Sequence, residues 1–257
     1  MRSIRLVTES FAERPALDTA VSRALLRQVS TGDEPETLRL YRPADVVAFG
    51  PQDTRAEGYA DAVLASRERG FEAIQRLAGG RAAVFHGDTL AFSWTIPVNA
   101  ASPHDGVMER FDEIAGLMAR AFRSLGVDAH VGEVSGEYCP GRHSVNARGE
   151  TKLMGVGQRL IRKAAHVGGV VVVDGVERIN DVLTPVYSAL DIDWRPESTG
   201  SLRTEVGPVL YDDVKQAVLN EFAVNYELYE GNLSPDTLTL AKTLEPEHIA
   251  PLSPTAP

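Results

Sequence analysis

Cysteine is almost missing from this chain of 257 residues, occurring once, at Cys139. A single thiol excludes an internal disulfide and a multi-cysteine zinc site, and it suits a reducing compartment. Long apolar runs are missing too. The opening MRSIRLVTES holds no stretch of signal-peptide length, and no segment approaches the roughly 20 apolar residues of a membrane helix. A cytoplasmic protein without membrane contact is therefore expected. Positive charge is also in deficit: 36 Asp and Glu against 26 Lys and Arg leave a formal charge of −10. Phosphates reward Lys and Arg, so no nucleic-acid partner is expected. No GxxxxGK[ST], GxSxG or HExxH occurs, which removes the P-loop, the nucleophile elbow and the zincin helix. Gly155 and Gly157 lack the third glycine of a dinucleotide fingerprint. Cys139 and His143 could fill two positions around a metal, but no third or fourth ligand stands nearby, and no metal site is expected.

What remains is a mixture of short strand-like and longer helical runs. Ile4 to Val7 opens as a strand, and Pro15 starts a helix to about Val29 with Leu17, Val21, Ala24 and Leu25 on one stripe. Thr37 to Tyr41 and Asp45 to Phe49 read as a hairpin around Pro43, followed by a helix from Glu57 to Arg69. Strands are expected at Phe71 to Arg76, Ala82 to His86 and Thr89 to Ile96, with a glycine turn at Ala78-Gly79-Gly80-Arg81. The clearest helix carries Val107, Phe111, Ile114, Met118, Phe122 and Leu125 at helical spacing. Val127 to Val131 is a strand, Lys152 opens another, and Gly168 to Asp174 returns through four valines. Val176 to Leu190 is helical in pattern, divided at Pro185, and Leu210 to Leu228 is amphipathic. A short helix from about Pro235 precedes the tail EPEHIAPLSPTAP, expected to be extended or disordered. This order lacks a regular βαβ rhythm, so the expected class is α/β: one domain with a mixed, largely antiparallel central sheet flanked by helices. Residues 1–231 form the expected catalytic domain, and 232–257 a short helix and proline-rich tail.

The chemistry gathers between Glu137 and Gly175. Cys139 begins the turn Cys139-Pro140-Gly141, and Lys152 follows a hairpin away. Taken alone, a single cysteine reads more readily as an inert apolar residue, and most lysines are solvated. Arg76, Gly79 and Gly80 alone read as a plain hairpin turn. Phe92, Trp94 and Val170 to Val173 read as core. His86, His143 and His166 are candidate bases that spacing does not place.

Two segments alter that balance. Arg76-Leu77-Ala78-Gly79-Gly80-Arg81-Ala82 resembles the Arg-x-(Ser/Thr)-Gly-Gly-x-Ala loop of the biotin/lipoate protein ligase superfamily. KLMGVGQR is similar to its Lys-(Ile/Leu/Phe)-x-Gly-x-x-Gln-Arg segment, and ALDTAVSRALLRQV followed by TLRLYRPADVVAFGPQ has the family's helix and hairpin. The resemblance runs from about residue 15 to 190. Cys-Pro-Gly just upstream of the lysine strand resembles the bacterial octanoyl- or lipoyl-transferases of the amidotransferase type, which place their nucleophile in this loop. Ala78, His86 and His143 depart from the hydroxyl, acidic and Tyr residues common at those places, and RLAGGRAA matches the biotin-side GRGRxGR loop poorly.

The resemblance implies the fold of the biotin/lipoate ligase catalytic domains. It implies transfer of an octanoyl or lipoyl group, through a thioester on Cys139, to a lysine of a lipoyl-carrier domain. Such a domain is the glycine-cleavage H protein or a 2-oxoacid dehydrogenase E2, and an acyl carrier protein is one candidate donor. Lys152 would bind the carbonyl and stabilise the oxyanion. Arg76, Gly79, Gly80, Arg81, Ala82, His86, Gly155, Gly157 and Gln158 would contact substrate. A transferase needs no cofactor. The second reading is an ATP- and Mg²⁺-dependent lipoate–protein ligase, and the third a non-catalytic acyl- or lipoyl-binding protein.

Overall fold

The computed structural model describes residues 1–98 and 105–252. Among them the strands form two sheets. In chain order the elements are β1 (Arg2–Val7), α1 (Pro15–Thr31), β2 (Thr37–Tyr41), β3 (Val46–Phe49), α2 (Tyr59–Glu68), β4 (Glu72–Gln75), β5 (Ala83–Phe85), β6 (Thr89–Pro97) and α3 (Val107–Ser124). They continue as β7 (Ala129–Val131), β8 (Val145–Ala147), β9 (Thr151–Ile161), β10 (Ala164–Val172), α4 (Val176–Ala189), α5 (Leu202–Val206), α6 (Tyr211–Asn225), β11 (Tyr226–Glu230) and α7 (Pro235–Leu244). The large sheet runs β11-β1-β2-β6-β10-β9-β8-β7, and the small one β4-β3-β5. β1 pairs in parallel with β11 and β2, β3 in parallel with β4, and the other pairings are antiparallel. This is the mixed, helix-flanked α/β class that the pattern predicts.

Each layer is closed by an apolar stripe. α3 and α6 cover the large sheet with Ile114, Met118, Phe122, Val214, Val218 and Phe222. α2 and α4 close the small sheet through Tyr59, Val63, Ile179 and Leu183 against Val47 and Val84. α1 begins at Pro15, whose missing N–H is harmless there, and ends on Gly32 in the left-handed region at φ 85°. Its stripe of Leu17, Val21 and Leu25 packs with Ala241 and Leu244 of α7.

Four local expectations change. The runs around Pro43 are not a hairpin: β2 belongs to the large sheet and β3 to the small one. Val46–Phe49 is buried throughout and Thr37–Tyr41 nearly so, as strands covered on both faces are, where a two-sided hairpin would alternate. Pro185 does not divide α4. It removes only the bond to the carbonyl of Asp181, a residue on the exposed side where water can replace it. The helix expected through Leu228 stops at Asn225, and Tyr226–Glu230 extends as a strand beside β1. The tail is built on rather than loose: Glu245–His248 is a 3₁₀ turn, His248 Nδ1 lies 2.9 Å from the Gln75 carbonyl, and Ala250 N–H donates to Ala73 O at 3.1 Å. The last part of that expectation, 253–257, lies outside the described residues.

One feature of the sheet makes the floor of the site. Arg39, Ser93, Gly168 and Gly157 stand opposite one another across β2, β6, β10 and β9, so they share a face. Beside them, a Cβ on Gly169 would stand 1.9 Å from the Gly155 carbonyl oxygen, so only glycine lets these strands approach. The glycines leave bare backbone where other strands carry side chains.

Candidate active site

Cys139 lies in the loop between β7 and β8, in the left-handed region at φ 43°, which costs a residue with a Cβ about 1 kcal/mol or more. Its backbone is pinned at both ends. Cys139 N–H donates to Tyr187 Oη at 2.8 Å, and Tyr187 O–H donates onward to the Ala82 carbonyl at 2.9 Å. The Cys139 carbonyl accepts from Lys152 Nζ at 2.8 Å. Lys152 is buried and spends its other two N–H groups on the Tyr138 carbonyl at 2.9 Å and Glu137 Oε1 at 3.2 Å. With both backbone groups fixed, the Cys139 side chain is directed at the glycine loop.

There the sulfur meets cationic and N–H partners. Arg81 N–H approaches Sγ at 3.2 Å and Arg76 Nη1 at 3.4 Å, while Arg76 also donates to the Arg81 carbonyl at 2.9 Å. Burial alone would push the thiol up. The Arg76 and Lys152 charges, with the Arg81 N–H, outweigh it and hold Cys139 below its ordinary range. The space over Gly80 is filled by this thiol: a Cβ there would stand 2.8 Å from Sγ.

The sulfur opens on an apolar slot bounded by Phe85, Val156, Gly169 and Val170. Arg76, Phe85 and Gly169 also border a larger cavity, about 650 Å³ with its opening to solvent, whose apolar wall includes Val46, Ala48, Ile74 and Phe92. Asp18, Ser22, Ser93 and His166 give the same cavity a polar part. Behind them Arg39, fully buried, pairs with Asp18 at 2.6 Å and donates to Ser22 Oγ at 3.3 Å. Ser22 donates to Ser93 Oγ at 3.2 Å, and Ser93 lies 3.3 Å from His166 Nδ1. Burial, reinforced by the Arg39 and Arg76 charges, lowers His166 to about 3, so its imidazole is neutral.

Among the residues singled out from sequence, Cys139, Lys152, Arg76, Gly80 and Arg81 converge. Gly155 borders the slot, where a Cβ would stand 3.1 Å from Lys152 Cε, and Gly157 underlies Arg76, whose Nη2 would be 3.0 Å from its Cβ. Ala82 joins through its carbonyl, and Gly79 is exposed on the loop. Two lie apart. His86 is buried behind the turn after β5, against Gly175, with Asp88 N–H on its Nδ1. The side chain of Gln158 is taken by Arg110 and the Val107 carbonyl. His143 stacks on Phe111 and reaches Asp112. Phe92 borders the cavity and Val170 the slot, but Trp94 packs with Phe222 and Tyr226 in the core.

Sequence reasoning missed Glu137, Tyr187, Asp18, Arg39, Ser22 and Ser93. Arg39 offered a signal, being a charge in the middle of an apolar strand. Tyr187, on the apolar face of α4, offered none. Among the described residues no three His, Cys, Asp or Glu side chains gather as metal ligands, and no helix is long and apolar enough to cross a membrane.

Comparison with known proteins adds to this geometry. The family model "Lipoyl protein ligase A/B catalytic domain" matches residues 14–223. An octanoyl-[GcvH]:protein N-octanoyltransferase of Geobacillus kaustophilus is 28% identical over 153 residues, 60% of this chain and 51% of that protein. One from Exiguobacterium sp. is 30% identical over 145 residues, 56% of this chain and 48% of that protein. The chain thus spans about half the length of these curated relatives. The crystal structure of a lipoate-protein ligase A bound with ATP superposes with a TM-score of 0.78 at 19% identity, over 96% of this chain and 95% of that one, which shows a shared fold.

Proposed function

The chain belongs to the lipoyl protein ligase A/B catalytic-domain family, and from that premise we propose that it is an acyltransferase that carries an octanoyl or lipoyl group on Cys139. The observation that bears most weight is the sulfur itself. It is held by Arg76 and Arg81 N–H on a doubly pinned turn, and it opens on an apolar slot that shares Arg76, Phe85 and Gly169 with a larger, mostly apolar cavity.

The thiolate attacks the acyl carbonyl of a donor, forming an S–C bond as the donor's C–S or C–N bond breaks and the leaving group takes a proton. A neutral lysine amine of the acceptor then attacks the thioester. The C–N bond forms, the S–C bond breaks, and the nitrogen releases one proton as the thiolate returns. Arg76 Nη1 and Arg81 N–H, now on Sγ, lie next to where the carbonyl oxygen must come and would share the oxyanion. Lys152 can join them only by giving up one of its three bonds, since an ammonium has three N–H groups. The apolar wall takes the acyl tail, and Gly79, Gly80, Gly155 and Gly157 keep the backbone close to it.

The partners proposed are lipoyl-carrier domains such as the glycine-cleavage H protein named in its relatives, or a 2-oxoacid dehydrogenase E2, in a cytoplasmic setting. Residues 1–231 carry the chemistry, with α7 strapped across α1. No nucleotide is needed in this reading, because the acyl group arrives as a thioester or an amide and not as a free acid. The sulfur over Gly80 supports that choice, since it already holds the place above the glycine loop.

Intact mass after mixing with an octanoyl-carrier donor, without ATP, tests the proposal. A gain of one octanoyl group, absent from Cys139→Ala, is expected. Product formed from free lipoate only with ATP and Mg²⁺, and undiminished in Cys139→Ala, would make the protein a ligase instead.

A further inference from the structure

The turn that carries Cys139 is organised around a carboxylate with no part in the chemistry above. Glu137 is 3% exposed, and both its oxygens are occupied. Oε2 accepts Val134 N–H at 3.1 Å. Oε1 accepts Gly141 N–H at 3.0 Å, Ser144 O–H at 2.6 Å and Lys152 Nζ at 3.2 Å. Val134 precedes Cys139 while Gly141 and Ser144 follow it, so the carboxylate closes the loop into a ring around the sulfur-bearing residue. Its fourth partner is the lysine whose remaining two N–H groups hold the carbonyls of Tyr138 and Cys139.

A buried carboxylate and a buried ammonium each cost several kcal/mol to desolvate, so such a pair survives only where both are fully bonded. Here they are. Lys152 faces Glu137, the Tyr138 ring at 4.8 Å and the two carbonyls, and among the described residues Glu137 is its only ion-pair partner. Cys139 faces Arg76 from the end of β4, the Arg81 N–H before β5, Lys152 from β9, Tyr187 from α4 and the neighbouring Tyr138. Asp53 stands behind them, tied to Arg81 Nη1 at 3.4 Å. Of the two cations beside the sulfur, Arg76 touches it directly, whereas Lys152 acts through the backbone it holds and has Glu137 beside it at 3.2 Å.

We propose that Glu137 is a positioning residue of acyl transfer: it holds Lys152 as a charged clamp on the Tyr138 and Cys139 carbonyls, and through that clamp fixes where the Cys139 sulfur points and which charges it faces. The proposal rests on the reading of Cys139 as the reacting thiol. A purely structural Glu137 would contribute stability alone.

The test is the rate of Cys139 alkylation by iodoacetamide as a function of pH, with no acyl donor present. Parent, Glu137→Gln, Lys152→Met and the double variant are compared. Without its carboxylate, Lys152 Nζ loses its paired charge and one of its three anchors, so its grip on the Tyr138 and Cys139 carbonyls loosens and Cys139 is held less closely to the cations it faces. Glu137→Gln should therefore move the alkylation midpoint to higher pH by about 0.5–1 unit. In the Lys152→Met background the same substitution should move it no further, because no ammonium is left to hold. A midpoint unmoved or shifted to acid in Glu137→Gln, or an equal alkaline shift in both backgrounds, overturns the proposal. If Glu137→Gln does not fold, Glu137→Asp keeps the charge but retracts it by one methylene. Its alkylation midpoint should match the parent while kcat for transfer falls at least tenfold and KM holds; an unchanged kcat overturns the proposal. Acyl trapping on parent Cys139 separates the two readings. Its failure removes the acyl-transfer assignment and leaves the alkylation result standing, whereas trapping with an unmoved Glu137→Gln midpoint removes only the role of Glu137.

Discussion

Replacing Arg76 by Met removes the cation nearest the thiol while keeping much of the side chain's apolar length. The guanidinium nitrogen stands 3.4 Å from Sγ, and at an effective dielectric of 20 a unit pair at that distance is worth about 5 kcal/mol at most. That limit is not reached. Arg76 is half-buried, its charge is spread over three nitrogens, and water entering the vacated space would replace part of the interaction. Keeping roughly a third leaves about 1.5–2 kcal/mol, or slightly more than one pH unit. The sign follows from the thiol's native environment, in which burial raises the thiol and Arg76 leads the groups that bring it below its ordinary range. Without Arg76, burial gains ground and the midpoint moves up. Stopped-flow alkylation of Cys139 against pH reads this directly, and at neutral pH the thiolate fraction should drop about tenfold. Acyl loading should slow by more than the thiolate loss alone, because one oxyanion donor goes with the charge. A midpoint within a few tenths of a unit of the parent would mean that Arg76 does not activate the sulfur.

Three further outcomes follow from the same contacts. Cys139→Gly should abolish loading yet resist urea better than Cys139→Ala by about 1 kcal/mol, since glycine adopts φ 43° without strain; equal midpoints would mean the turn is unstrained. His166 is depressed from 6.5 to about 3, so its stabilising contribution is complete above pH 6.5 and is lost as pH falls through that window, by at most about 5 kcal/mol. Denaturant midpoints of the parent should therefore drop toward those of His166→Gln on acidification, and parallel profiles would contradict a neutral buried imidazole. Ala48→Phe should fill the apolar wall of the cavity, cutting octanoyl loading more than tenfold while butyryl loading and alkylation persist; undiminished octanoyl loading would place the tail elsewhere.

Residues that act along one stretch of chain were legible in the sequence, and residues that act across the fold were not. Cys139, Lys152 and the Arg76 loop stand inside short motifs that carry the family resemblance, and that resemblance, not their spacing, brought them together in the sequence. The polar wall is different. Asp18, Arg39, Ser93 and His166 come from α1, β2, β6 and β10, and only strand register and the packing of α1 on the sheet bring them together. Tyr187 reads as one more apolar position on α4, because its hydroxyl finds Cys139 N–H through packing that no periodicity encodes. Glu137 was visible two positions before the cysteine, but a carboxylate on a loop is ordinarily solvated, and nothing local tells that its lysine is buried. Among the fold elements, the misread hairpin has the same origin. Two neighbouring apolar runs look paired until a second sheet claims one of them.

The placement of β1 also governs when this molecule can form. Its partners on one side are Tyr226 to Glu230, with Ser3 and Glu227 joined across 224 residues. On a ribosome β1 can meet β2 soon after both emerge, but its outer edge waits until β11, 224 residues further on at Ser3 and Glu227, has been made. During that interval it is an open edge, competent to pair with another nascent copy, and α1 lacks its α7 cover. Contacts of such long sequence separation close slowly, because loop entropy is lost before they form. Synthesis should therefore yield a protease-sensitive intermediate that becomes resistant only once β11 and α7 have emerged.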